Sequence, residues 1–357
     1  MIFRQLFDAP SSTYTYLLAD EATREAVLID SVFEQHARDA ALIRELGLRL
    51  VYTIDTHCHA DHVTGAWLMK HALGSKIALA AAVGAANVDV PLVHGTVLRF
   101  GAHALEARAT PGHTDGCLCF SSADHRMVFT GDALLVRGAG RTDFQQGSAA
   151  RLFQSIHAQL FSLPDDCVVY PAHDYEGRTA TSIGEERKFN PRIGAGASET
   201  DFVGYMTNMG LPPPKQLAVA VPANMRSGQP ADGVAPRAIE WGPVVTTYAG
   251  LREIAPEWVA SNRDAVHVLD VRSAAEFDGE LGHIPSAQLI PLDELRSRVD
   301  EVPKDKPIVA VCQTGKRSGM ATVILNKAGR TSANVAGGMV RWRELDLPTK
   351  LIPSWDI

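Results

Sequence analysis

In the run Thr56-His57-Cys58-His59-Ala60-Asp61-His62, three imidazoles and a carboxylate fall within six residues. The run directly follows the apolar stretch Leu50-Val51-Tyr52-Thr53-Ile54. A strand ending in a tight turn would aim several of these side chains at one point. Such crowding of His and Asp suits a metal ion better than an ordinary core or a solvated surface. Three more places supply metal-competent side chains, each after an apolar run: Pro111-Gly112-His113-Thr114, Thr130-Gly131-Asp132 and Pro171-Ala172-His173-Asp174. Much further along, Val311-Cys312-Gln313-Thr314-Gly315-Lys316-Arg317-Ser318-Gly319 puts a cysteine at a strand end, before a loop that enters a helix. Curled backbone N–H groups, the helix N-terminus, Lys316 and Arg317 would together stabilise a thiolate there.

Elements that could position these groups are legible around them. Ala26–Asp30 reads as a strand, and Glu34–Leu46 carries Ala37, Ala41, Leu42 and Leu46 on one helical stripe, with Gly47 as its stop. Thr64–Leu73 predicts a second helix closed by Gly74. Leu105–Ala109, Cys117–Phe120, Met127–Thr130 and Cys167–Tyr170 predict strands, and Ser148 is a good N-cap for a helix through Leu160. Ligands from separate strand ends converge only where a sheet gathers those ends at one edge, as open α/β and αββα layouts do. From Asn190 to Pro243 prolines interrupt the chain, among them Pro212-Pro213-Pro214 and Pro236, and this predicts a partly extended connector. Alternation resumes at Val244, with strands at His267–Val271 and Pro307–Cys312 and helices at Ser318–Lys327 and Met339–Glu344.

The totals set the frame. The 357 residues suffice for two domains, and 46% apolar residues describe an ordinary globular protein. A net charge of -7 gives no reason to expect a nucleic-acid or membrane partner. No apolar run is long enough to span a bilayer, and Met1–Asp8 lacks the pattern of a secretory signal. Five scattered cysteines argue against a disulfide framework. The expected compartment is the cytoplasm.

H-x-H-x-D-H followed by PGHT, GDAL and PAHD resembles the metallo-β-lactamase superfamily over about residues 1–190. The resemblance implies an αββα sandwich. In that superfamily one metal site would use His57, His59 and His113 and a second Asp61, His62 and His173, with Asp132 bridging. Gly140-Arg141-Thr142-Asp143-Phe144-Gln145-Gln146-Gly147 and His173-Asp174-Tyr175 are similar to the persulfide dioxygenases in particular. That branch implies one non-haem Fe(II) per chain, held by His57, His113 and Asp132 in the two-His-one-carboxylate pattern of iron oxygenases. His59, Asp61, His62 and His173 would then orient the ligands and handle protons. The glutathione part of the substrate would lie near Arg141 and Tyr175, with Asp174 beside them. O2 and glutathione persulfide are the implied substrates, sulfite and glutathione the products.

Leu269–Phe277, Gly282–Ala287, the Cys312 loop and Gly337–Trp342 resemble a single rhodanese domain, placed at 244–357 after a connector at 191–243. Cys312 would carry sulfane sulfur as a persulfide, with Lys316 and Arg317 beside it. A phosphatase on this fold would have a loop one residue longer. Arg272 and His283 match framework positions. The expected fold class is α/β throughout: an αββα sandwich plus an α/β rhodanese domain. The partners implied are glutathione persulfide, thiosulfate and sulfite, and a homodimer is left open. Six other histidines (His36, His71, His94, His103, His125, His157) and Cys58, Cys117 and Cys119 read as packing or surface residues. A competing expectation is a two-metal thioester hydrolase of the glyoxalase II kind, with a regulatory C-terminal domain.

Overall fold

Strands whose apolar residues occupy both faces must be covered on both faces, and the N-terminal half contains several. The computed structural model of the protein describes residues 1–235 and 241–351. They fall into two compact units, Met1–Ala235 and the described part of Pro236–Ile357. In the first unit β1 (Ile2–Asp8), β2 (Thr13–Ala19), β3 (Glu25–Ile29), β4 (Arg49–Ile54), β5 (Lys76–Ala80) and β6 (Val90–Leu92) form one sheet in sequence order. The second sheet runs β12-β11-β10-β9-β8-β7 and contains β7 (Val97–Phe100), β8 (His103–Ala109), β9 (Leu118–Ser122), β10 (Met127–Gly131), β11 (Val168–Pro171) and β12 (Thr181–Ser182).

Every residue of β2 is buried. Tyr14, Tyr16 and Leu18 point into the layer between the sheets, against Val27, Ile29, Phe120 and Phe129. Leu17 and Ala19 point the other way, onto a cluster with Leu28, Ile43 and Met69. Ile43 and Met69 belong to the helices His36–Glu45 and Ala66–Leu73. The outer face of the second sheet packs Cys119, Val128 and Val169 against Leu152, Ile156 and Phe202. This is the expected αββα sandwich. Each fully buried Leu or Ile contributes on the order of 1.5–3 kcal/mol to holding the layers together.

Strand direction does the positioning. β3 and β4 are parallel, as are β10 and β11. Their C-terminal ends therefore deliver Asp30, Thr56-His57, Asp132 and His173 to the edges of the sheets, and an isolated bridge between Thr13 and His173 joins the two sheets there. Gly74 closes its helix at φ 75°, and Ser148 caps its helix by accepting from the Arg151 N–H, both as expected.

The expected connector behaves differently. Residues 191–235 belong to the first unit and include two helices, Glu199–Thr207 and Leu217–Asn224. The first begins with a capping box between Ser198 and Asp201, a local signal strong enough to nucleate a turn among prolines. Phe202 and Met206 anchor it on the outer face of the second sheet. Pro236 of that stretch and residues 352–357 of the expected C-terminal module lie outside the described residues.

In the second unit β13 (Val245–Thr246), β14 (Arg252–Ile254), β15 (His267–Asp270), β16 (Gln288–Leu289), β17 (Ile308–Val311) and β18 (Ser332–Val335) form a sheet in the order β13-β14-β18-β17-β15-β16. All its pairings are parallel except β13 with β14. Val268, Val309 and Val335 face one apolar cluster, and Leu269, Ile308 and Ala310 face another with Leu325 of the helix Lys316–Lys327. Among the described residues no helix is long and apolar enough to cross a membrane.

Gly112, beside His113, has φ 143°, and a Cβ there would lie 2.3 Å from the Leu152 backbone nitrogen. Gly112→Ala is therefore expected to lower stability by about 1–3 kcal/mol through overpacking against backbone that cannot yield. The midpoint of urea unfolding checks this; an unshifted midpoint would mean that the loop relaxes freely.

Candidate active sites in the two units

Asp30 follows β3 with φ 53° and is buried. Its carboxylate accepts from Thr56 N (2.7 Å) and Thr56 Oγ1 (2.9 Å), and lies 3.1 Å from His59 Nε2. Because the Thr56 hydroxyl gives its proton to Asp30, its oxygen is left to accept from His57 Nδ1 at 3.0 Å. The lone pair of His57 then sits on Nε2. His113 resolves the same way: Nδ1 donates to the Arg141 carbonyl at 2.6 Å, leaving Nε2 free 3.6 Å from Asp132 Oδ2. His57, His113 and Asp132 each offer a donor atom, and all three lie within 4.8 Å of one another.

His173 is placed otherwise. Its Nδ1 lies 2.6 Å from Asp132 Oδ1 and its Nε2 2.8 Å from Asp61 Oδ2, with Thr13 Oγ1 also 3.1 Å from Nε2. Burial disfavours its charge, but Asp132 and Asp61 outweigh that and push its pKa well above the ordinary histidine value. Asp132 answers in kind: burial works against its charge, yet His173 and the imidazoles of His113 and His57 hold its pKa well below the carboxylate range. Burial, reinforced by His59 and His113, pushes His57 well down, so it is a neutral donor. A second group, His59, Asp61 and His62, also gathers donor atoms within 4.8 Å. His59 Nδ1 and His62 Nε2 are buried without a partner.

His57, Asp61, His62, His113, Asp132 and His173 border a cleft of about 740 Å³ that also reaches Arg141, Phe144, Tyr175, Arg192, Leu211 and Lys215. Arg141 spends its donors on Asp143 (Nε to Oδ1 and Nη2 to Oδ2, both 2.7 Å) and on the carbonyls of Pro212 (2.5 Å) and Leu211 (3.0 Å). Tyr175 is 74% exposed and lies parallel to the His173 ring at 6.2 Å, a ring open to a ligand. Asp174 is buried and accepts from the Glu176 and Arg178 amides and from Arg178 Nε, so its carboxylate shapes the loop that carries Tyr175.

In the second unit Cys312 follows β17, and Gly315 at φ 87° turns the chain into the helix Lys316–Lys327. Ser318 Oγ lies 3.3 Å from Cys312 Sγ and 2.6 Å from Asn334 Oδ1, so its single proton can serve either acceptor; Asn334 Nδ2 donates to Glu253 at 2.8 Å. Burial pushes the thiol up. Hydrogen bonds from the Ser318 hydroxyl and from the amides of Ser318, Thr314 and Gly315 outweigh it, and the pKa falls below the ordinary value. The expected cations are less direct. Arg317 forms a two-pronged ion pair with Glu276 (2.8 and 2.5 Å), and Lys316 is exposed. Arg272 is buried in a forked pair with Asp270, and His283 stacks on Phe277 at 3.7 Å, the framework roles expected of them.

Sequence reasoning missed Asp30, Thr13, Ser318 and Asn224. Asp30 alone carried a signal, a carboxylate ending the apolar run Ala26-Val27-Leu28-Ile29. Ser318→Ala is expected to move the pH midpoint of Cys312 alkylation upward, because the thiolate loses a donor while its desolvation remains. Iodoacetamide rates across pH read this; coincident profiles would leave the backbone amides as the whole cause.

The Metallo-beta-lactamase superfamily profile matches residues 8–173, and the Rhodanese-like domain profile matches residues 255–345. The human mitochondrial persulfide dioxygenase ETHE1 is 53% identical over 228 residues, 64% of this chain and 89% of the human protein. The crystal structure of ETHE1 from Myxococcus xanthus, 50% identical, matches with a TM-score of 0.62 over 64% of this chain and 100% of its own. A metallo-beta-lactamase from Staphylococcus aureus, 22% identical, shares the fold over 94% of this chain and 98% of its own at a TM-score of 0.60. Half the residues being identical along almost the whole of the human relative, this chain belongs to the ETHE1 persulfide dioxygenase family of the metallo-β-lactamase superfamily, extended by a rhodanese-like domain.

Proposed function

We propose that the first unit oxidises glutathione persulfide with O2 at a single ferrous ion held by His57, His113 and Asp132, and that the second moves sulfane sulfur through Cys312. The observation carrying the first half is the donor set itself: two imidazoles whose tautomers are fixed by Thr56 and Arg141, and one carboxylate oxygen left over from the His173 contact. Neutral nitrogens and one carboxylate fit Fe(II), which when bound supplies the chemistry that joins O2 to the terminal persulfide sulfur. The net reaction is glutathione persulfide, O2 and water giving glutathione and sulfurous acid.

The chain's own residues bind, orient and hold protons. Arg141 braces the cleft wall through Leu211 and Pro212, and Tyr175 offers an exposed ring and hydroxyl to the peptide. His173, fixed between Asp132 and Asp61, holds a proton at the base of the cleft. In the second unit the low-pKa Cys312 sulfur attacks the outer sulfur of thiosulfate and expels sulfite; glutathione thiolate then takes the sulfur from Cys312 as glutathione persulfide. The reverse direction uses the same residues. Joining the units in one chain raises the effective concentration of the shared persulfide. We place this chemistry in the cytoplasm.

A second reading, a two-metal thioester hydrolase, is favoured by the group His59, Asp61 and His62 with its two unpartnered ring nitrogens. Against it, both ring nitrogens of His173 already face carboxylates.

Metal counting and an oxygen electrode on one sample decide. About one iron per chain and O2 uptake on adding glutathione persulfide are expected; two zinc ions and no uptake would select the hydrolase. His113→Ala should abolish iron binding and O2 uptake while sparing sulfur transfer, and Cys312→Ser should do the converse. Loss of both activities in either variant contradicts the division of labour. Arg141→Ala should raise the KM for the persulfide roughly tenfold or more, because the cleft wall at Leu211 and Pro212 loses a charged hydrogen-bonded brace of about 1.5–3 kcal/mol, with a smaller change in kcat. Unchanged kinetics would reduce Arg141 to a surface charge.

A further inference from the structure

The loop His57–Thr64, between β4 and the helix Ala66–Leu73, carries four of the seven side chains in the His/Asp cluster, yet it has almost no ladder of its own. Its backbone polar groups must find partners elsewhere. They find them about 160 residues away. Asn224, at the end of the helix Leu217–Asn224, is buried and uses its whole amide on this loop. Nδ2 donates to the carbonyls of His59 and His62, both at 2.9 Å, and Oδ1 accepts from the Thr64 amide at 2.9 Å. Three contacts of this kind can be satisfied by only one orientation of the amide, and by neither Asp nor any hydrocarbon.

The neighbouring residues reinforce the grip. Thr64 Oγ1 donates to Asp55 at 2.9 Å, and the Trp67 amide donates to the Ser227 carbonyl at 3.1 Å. Gly228, at φ 77°, lies so close that a Cβ would come within 2.0 Å of the Thr64 carbonyl oxygen.

We infer that Asn224 is a positioning residue for the metal-binding loop: it sets the backbone from which His59, Asp61 and His62 project and against which His57 is held. The inference rests on the reading of His57, His113 and Asp132 as metal ligands. It makes the segment 217–228, which the sequence presents as linker, part of the apparatus that tunes metal affinity. Removing a group that orients ligands costs roughly ten- to a hundredfold in metal affinity.

The test uses the metal-free full-length chain titrated with Co(II), read from its visible d–d bands well below the unfolding temperature. Wild type should bind about one equivalent in a manner lost in His113→Ala; if it does not, the ligand reading itself fails. Given that binding, Asn224→Asp is the informative variant. It is isosteric and keeps the acceptor for Thr64, but turns a carboxylate oxygen toward the two carbonyls. It should bind Co(II) at least tenfold more weakly and with altered bands, as should Asn224→Ala, while Cys312-dependent sulfur transfer persists. Wild-type affinity and bands in both variants overturn the inference. Should neither variant stay folded, hydrogen exchange on the wild type decides: Co(II) should protect amides 57–64 and 217–228 together, and protection confined to the loop overturns it.

Discussion

Asp30 is a buried carboxylate that meets the amide and hydroxyl of Thr56 and the Nε2 of His59 at once. By taking the hydroxyl proton it decides which nitrogen of His57 keeps a lone pair, and by facing Nε2 of His59 it leaves Nδ1 of that ring buried without a partner. An unpaired carboxylate at such depth would cost several kcal/mol, so the loop cannot relax away from it cheaply. The strand it terminates runs parallel to the one that delivers the histidines, and the constraint is thereby carried into the sheet. Hydrogen-bond tautomers, rather than the mere presence of His and Asp, make the cluster competent for a metal.

The histidine-rich turn, the strands around it, the helix stops at Gly47 and Gly74 and the helix start at Ser148 were legible because each rests on local chemistry: periodicity, a cap, a residue that tolerates positive φ. The α/β class and both family resemblances were legible as well. Other features depended on distant partners. β1 and β2 went unread; β2 alternates Thr and Tyr over Thr13–Tyr16 but buries all 7 of its residues, its threonines included, so no exposed polar face marks it. The stretch 191–235 looked like a connector because prolines dominate its composition, yet Phe202, Met206 and Asn224 tie it to the first unit through contacts that no local window contains. Arg141 lines the cleft, and its commitment to Asp143 and two carbonyls depends on a wall formed seventy-odd residues later.

The two units solve different electrostatic problems by similar means. In the first, neutral donors are preserved among charges by pairing His173 with two carboxylates. In the second, a thiolate is favoured by amide and hydroxyl dipoles, while the Arg317 guanidinium is held by Glu276, whose own pKa falls to about 2 through the Arg317 hydrogen bonds. Fixed dipoles need no counterion and do not move when a sulfur atom is gained or lost.

Five thiols lie in this chain, and only one is electronically prepared to react. Burial lifts Cys58 and Cys167 to about 11 and Cys117 to about 12, and raises Cys119 as well, so at neutral pH these four are protonated and shut away from solvent. Persulfides and dioxygen, the proposed substrates, react with exposed thiolates. Keeping the other four sulfurs protonated spares the scaffold from adduct formation and leaves Cys312 as the one thiol whose ionisation the fold favours.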